Sequence, residues 1–257
     1  MPSFARNGDV QLCLERIGDG ARHVLFVHGW ISSRRMWYDV VQRLDRTQFT
    51  MHLLDLRGCG LSDRPREGHD LEGYTADLRS AVTAISHPLT LVGHSMGGKL
   101  AQYVAADRPA NLERMILVAP GTAAGGRISE RHRDLTLQAF GYRERIEHFQ
   151  RGAMRRPVDP AAMERIVEDA LLASYDHWIG WYDHGRLSSF MDRLWHIDVP
   201  VLAIAGAADP LVGVASIKQN VVEAIHGAIF VMLRDAGHNL PIEAPEDIAQ
   251  AVRGFTD

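Results

Sequence analysis

Apolar residues along this chain group in two recurring ways. Compact aliphatic and β-branched runs stand at residues 24–27, 51–54, 89–92, 115–118, 201–204 and 229–233, and residues 10–17 alternate loosely ahead of the turn Gly18-Asp19-Gly20. Short runs with no polar face fit strands buried on both sides of a parallel sheet. Between several of them the spacing changes to that of a helix face. Trp37, Val40, Val41 and Leu44 follow it, as do Tyr74, Leu78, Ala81, Val82 and Ile85; Leu100, Tyr103 and Val104 repeat it, and so do Ile248, Val252 and Phe255. Strands alternating with helices predict a doubly wound, mostly parallel α/β sheet of about eight strands with helices on both faces.

One stretch breaks the alternation. Residues 121–194 hold no convincing strand but several helical patterns, such as Met163, Ile166, Val167, Ala170 and Leu171. The stretch carries eleven arginines and eleven acids, so it is charge-balanced and unlike a linker. Gly121 and Gly125-Gly126 mark its entrance, and Asp198-Val199-Pro200 follows its exit. The expected organisation is a core of residues 1–120 and 195–257 with a helical cap of residues 121–194 inserted in it.

Composition narrows the class of function. With 257 residues, 46% of them hydrophobic and 23% charged, the chain has the make-up of a globular domain with a sizeable core. A net charge of −4 gives no reason to expect nucleic acid or a membrane surface as partner. Only Lys99 and Lys218 are lysine among the 28 basic residues, and the arginines are scattered. Cys13 and Cys59 are too few for a disulfide framework or a structural zinc site. No run reaches the length of a membrane span, and the first residues lack the apolar segment of a secretory signal, so a reducing cytoplasm is expected.

The sharpest chemical signal is Gly93-His94-Ser95-Met96-Gly97-Gly98, directly after the apolar run 89–92. Glycines flanking the serine at two-residue spacing permit the tight strand-to-helix turn that lifts a serine hydroxyl above a sheet. The same segment reads as the start of a phosphate-binding loop, Gly93-x-x-x-x-Gly98-Lys99, but Leu100 stands where such a loop needs a hydroxyl for Mg²⁺. A serine nucleophile needs a base, and the base an orienting acid. His238, in Asp235-Ala236-Gly237-His238-Asn239, follows the run 229–233, at the C-terminal end of a strand where open α/β sheets gather their sites. Asp209, in Gly206-Ala207-Ala208-Asp209-Pro210, follows the run 201–204, whereas Asp235 is too near His238 in sequence to serve it well. The backbone N–H groups of Trp30, after His28-Gly29, and of Met96 are candidates for an oxyanion hole. His28 reads as a loop brace rather than a catalyst, and His94, Trp178 and Trp181 join it as candidates for the pocket wall.

These segments, together with Asp55-Leu56-Arg57-Gly58-Cys59-Gly60-Leu61-Ser62-Asp63, resemble the α/β-hydrolase superfamily in order and spacing, over nearly the whole chain. The resemblance is to its capped subgroup of small esterases and carbon–carbon bond hydrolases. It implies an α/β-hydrolase fold: a mostly parallel eight-stranded sheet with helices on both faces and an inserted helical cap, or lid. It also implies a Ser95–His238–Asp209 triad, structural roles for Asp55 and Arg57, and no cofactor or metal. Ser95 stands where haloalkane dehalogenases and epoxide hydrolases carry Asp. The hydrolases of ring-cleaved aromatic diketones typically have Asn before the serine and Trp after the histidine, where this chain has His94 and Asn239. The expected activity is hydrolysis of a small or medium hydrophobic carboxylic ester, favoured by cap aromatics that suit apolar groups. A lactone, or a diketone cleaved at a carbon–carbon bond, is the alternative, the latter asking for a cation near the substrate's carboxylate that the cap arginines could supply. A small-molecule receptor that kept the pocket and lost turnover is the non-enzymatic alternative. Sequence alone leaves the oligomeric state open.

Overall fold

A computed structural model describes residues 3–126 and 130–256, so residues 127–129 of the expected cap lie outside the described residues. One eight-stranded sheet is built from β1 (Ser3–Asn7), β2 (Val10–Ile17), β3 (Arg22–Val27), β4 (Phe49–Leu54), β5 (Leu89–His94), β6 (Leu112–Val118), β7 (Val201–Gly206) and β8 (Ile229–Leu233). Its spatial order is β1-β2-β4-β3-β5-β6-β7-β8. β2 pairs antiparallel with β1 and β4, and the remaining neighbours are parallel. The helices are α1 (Tyr38–Val41), α2 (Leu71–Ala84), α3 (Met96–Ala105), α4 (Glu130–Leu137), α5 (Arg143–Ala153), α6 (Pro160–Leu172), α7 (Tyr175–Gly180), α8 (Val214–Ile217), α9 (Leu240–Glu243) and α10 (Pro245–Phe255).

Alternation along the central strands divides the core in two. Leu25 and Val27 of β3 face the cluster that holds Tyr74 and Leu78 of α2 and Leu100 and Val104 of α3. Val24 and Phe26 face the other, with Trp37, Val40, Ile248 and Val252. This is the two-sided burial that continuous apolar strands require. The helix starts are encoded locally: Asp70 accepts from the Gly73 N–H ahead of α2, and Asp159 accepts from the Ala161 and Ala162 N–H groups at α6, which opens on Pro160.

Three expectations change. The run 229–233 is not buried on both faces: β8 is the last strand of the sheet, and Ile229, Val231 and Met232 are exposed. Lying beside one neighbour only, it has less of the cover that the central strands receive. The helical spacing of Trp37 to Leu44 gives a 3₁₀ turn, Arg34–Trp37, and the four-residue α1 rather than a long helix. β1, which carries no apolar run, forms by antiparallel pairing with β2.

The segment from α4 to α7 lies between β6 and β7 and is tied to the sheet by buried polar links. Ser33 Oγ donates to Asp169 Oδ2 at 2.7 Å, and Arg35 lies 3.2 Å from Asp169 Oδ1. A chain of neutral partners runs beside it. The Ile31 N–H donates to His177 Nε2 (3.4 Å), His177 Nδ1–H to the Tyr74 hydroxyl (2.6 Å), and that hydroxyl to His69 Nδ1 (2.9 Å). Burial holds the His177 imidazole well below its ordinary range, so it stays uncharged. Among the described residues no helix is long and apolar enough to cross a membrane.

Candidate active site

The turn from β5 into α3 places Ser95 on strained backbone, at φ +50° and ψ −114°. A side chain at Gly93 would approach the Gly97 carbonyl oxygen to 2.5 Å, and one at Gly97 would meet that of Val27 at 2.5 Å. The elbow therefore closes only with glycine at both positions. The Ser95 N–H donates to the Val118 carbonyl (3.0 Å), pinning the strained residue to the end of β6. Met96 opens α3, so its N–H belongs to the first turn, which has no acceptor within the helix.

β7 and β8 deliver the other two groups from the same end of the sheet. Ser95 Oγ lies 2.9 Å from His238 Nε2, and His238 Nδ1 lies 2.7 Å from Asp209 Oδ2. Asp209 Oδ1 accepts from the Leu211 and Val212 N–H groups at 2.7 and 3.0 Å. Burial raises the Asp209 carboxyl, but the His238 ring and those two donors outweigh it, holding it below the usual carboxylate range. An ionised Asp209 accepts from Nδ1–H and leaves Nε2 free to accept from the serine hydroxyl.

The histidine loop is braced from three sides. The His238 N–H donates to the Ala153 carbonyl at 2.8 Å. Glu243 Oε2 accepts from the Gly237, Arg155 and Arg156 N–H groups at 2.9, 2.7 and 3.1 Å, joining the loop to the residues after α5. His94 Nε2–H donates to the His238 carbonyl at 2.9 Å. Burial and the neighbouring His238 push the His94 imidazole down to about 3, so it is a neutral donor there.

A cavity of about 460 Å³ opens over Ser95 and His238, between the sheet and the α4–α7 segment. Trp30, His94, Met96 and Trp181 line it; His28 and Trp178, the other two candidates for its wall, do not. His28 is fully buried beneath the loop, its Nδ1–H donating to the Gly29 carbonyl (2.7 Å) and its Nε2 accepting from the Leu56 N–H (3.0 Å). Trp178 is packed behind the wall, donating to the Thr136 carbonyl at 3.1 Å and accepting the Trp30 indole N–H on its own carbonyl at 3.2 Å. Asp55 and Arg57 are structural: Asp55 Oδ1 accepts from the Arg34 N–H, and Arg57 grips Asp77 with two contacts of 2.6 Å.

Gln150, Tyr182, Arg186 and Lys99 also line the cavity, though none of them was among the candidate site residues. Gln150 accepts from Asn239 Nδ2 at 2.8 Å, and Tyr182 meets Trp30 edge-on at 4.5 Å. Signals existed for three of them: Lys99 is a rare lysine one helical turn beyond Ser95, Arg186 is one of the cap arginines, and Tyr182 follows Trp178 and Trp181 at helical spacing. Among the described residues no three His, Cys, Asp or Glu side chains converge so as to hold a metal ion.

Comparison with known proteins agrees with this architecture. The sequence profile of the Alpha/beta hydrolase family matches residues 24–251. The pimeloyl-[acyl-carrier protein] methyl ester esterase of Aeromonas salmonicida is 30% identical over 274 aligned positions, spanning 96% of this chain and 99% of that one. The AB hydrolase superfamily protein YisY of Bacillus subtilis is 34% identical over 117 residues, which are 45% of this chain and 43% of that protein. An esterase structure from Exiguobacterium antarcticum superposes with a TM-score of 0.91 at 20% identity, over 100% of this chain and 99% of the other. With its elbow serine, its mostly parallel sheet and a profile match across most of its length, the chain belongs to the alpha/beta hydrolase family and is a hydrolase.

Proposed function

We propose that this protein is a serine esterase that cleaves a small or medium carboxylic ester through an acyl-enzyme, with residues 121–194 acting as a lid over the site. The observation that carries the reading is the continuous chain Ser95 Oγ–His238–Asp209, at 2.9 and 2.7 Å. Ser95 Oγ attacks the ester carbonyl carbon while His238 Nε2 takes the hydroxyl proton. Asp209 holds the imidazole in the right tautomer and stabilises the imidazolium. The N–H groups of Trp30 and Met96 bind the oxyanion, and His238 returns the proton to the leaving alcohol. Water then attacks the acyl-enzyme with His238 again as base, releasing the acid and restoring Ser95. The ester hydrolase named among the relatives supports an ester over a carbon–carbon bond, as do His94 and Asn239 at the two positions where the diketone hydrolases differ.

Ser95→Ala should lose roughly 10³-fold or more in kcat on a p-nitrophenyl ester while its circular dichroism is unchanged. A fluorophosphonate probe should label the wild type at Ser95 and leave the variant unlabelled. A folded variant as active as the wild type would remove Ser95 as nucleophile. Labelling with no turnover of any ester would instead favour a receptor.

A further inference from the structure

Two cations face the cavity over Ser95. Arg186 and Lys99 both line it, and among the described residues that line it there is no Asp or Glu. Asp209 stands behind His238, outside the lining. Other cationic side chains are matched: Arg57 grips Asp77, Arg34 grips Asp55, and Arg133 grips Asp183. Among the described residues Arg186 has no such partner. Its Nη1 is buried with no hydrogen-bond acceptor among them, and its Cζ stands 5.3 Å from the Tyr182 ring.

Lys99 lies on the first turn of α3, its N–H donating to the Ser95 carbonyl at 3.1 Å, so it is about 6 Å along the helix axis from the serine. Its Nζ donates to the Arg186 and Ser188 carbonyls at 3.1 and 2.6 Å. Those bonds fix the backbone that carries Arg186 and use two of three ammonium protons. Burial and the nearby Arg186 push the Lys99 ammonium down to about 8, and burial lowers Arg186 as well. Both shifts are those of positive charge taken from water with no counter-charge returned. A half-buried guanidinium with one enclosed nitrogen lacking an acceptor is costly, and a carboxylate supplies what it lacks: opposite charge and two acceptor oxygens.

We propose that Arg186, with Lys99 beside it, is an anion subsite, and that the substrate is an ester carrying a free carboxylate, such as a half-ester of a dicarboxylic acid. The inference rests on the esterase reading and names which esters that site prefers. Arg186 binds the distant carboxylate, Lys99 holds the Arg186 backbone and adds its charge, and the ester carbonyl reaches Ser95.

The test compares kcat/KM for monomethyl esters of dicarboxylic acids, from succinate to suberate, with methyl esters of monocarboxylic acids of matching length. The wild type should prefer the anionic member at one chain length or more by at least about tenfold. Arg186→Gln should cut that anionic-to-neutral ratio by about 10- to 100-fold, with Arg186→Lys restoring part of it. Neutral esters preferred at every length, or a ratio unmoved in Arg186→Gln, would overturn the proposal. Should Arg186→Gln not fold by circular dichroism, protection of the wild type decides. Adipate should slow fluorophosphonate labelling of Ser95 more than hexanoate does, and equal protection overturns the subsite. A folded wild type that is neither labelled nor active on either series would remove the esterase reading, and this inference with it.

Discussion

Ser95 and Asp209 act at the scale of single residues, and both depend on atoms they do not carry. The positive φ of Ser95 costs of order 1–3 kcal/mol, a strain that persists because Gly93 and Gly97 let the chain close and Val118 holds the Ser95 N–H. Asp209 keeps its charge because His238 and the Leu211 and Val212 N–H groups face it. Asp209→Asn should therefore lower kcat by about 10³- to 10⁴-fold with little change in KM, because an amide no longer selects the tautomer that leaves Nε2 free. Steady-state kinetics on one p-nitrophenyl ester tests this. At this scale the sequence was informative where chemistry and spacing coincide: Gly-x-Ser-x-Gly, and an Asp and a His each following an apolar run. It was silent on Glu243 and Gln150, whose roles arise from chain segments far apart in sequence.

Among elements, the α4–α7 segment is the least self-explanatory, because buried polar links accompany its apolar packing on the core. Asp169 sits at the contact, where burial raises its carboxyl from 3.8 to about 6 against the opposing pull of Ser33 and Arg35. The folded state thus holds a proton between about pH 4 and 6 that the unfolded chain has released, so this group's contribution to stability falls as pH rises across that window. Asp169→Asn removes the dependence. Relative to wild type, the variant should gain about 1–3 kcal/mol between pH 4 and 7, measured by urea unfolding at each pH. Helices were legible where the apolar face was continuous, as in α2 and α10. The Trp37–Leu44 face, by contrast, is divided between a 3₁₀ turn and the short α1. His28 and Trp178 show the limit of reading a wall from residue type: each is buried behind the cavity, holding a residue that faces it.

For the whole molecule, seven of the eight strands and their mostly parallel arrangement follow from six compact apolar runs and one alternating one, and β1 comes only from its pairing with β2. Position within the sheet does not follow from them. A run of apolar residues reads alike whether its strand lies in the middle or at the margin, and β8 proved marginal. Its exposed Ile229, Val231 and Met232 leave an apolar margin prone to pairing with other chains. Val231→Lys should lower concentration-dependent association, read by light scattering. Another global property follows from the scarcity of lysine. Lys99 is enclosed and bonded to two carbonyls, whereas Lys218 is exposed on the π-helical turn Lys218–Val222. Side-chain amines open to a reagent are thus reduced to a single address, near β8 and outside the cavity lining. Coupling to a surface through the Lys218 side chain would hold every molecule in one orientation, with the site left open to solution.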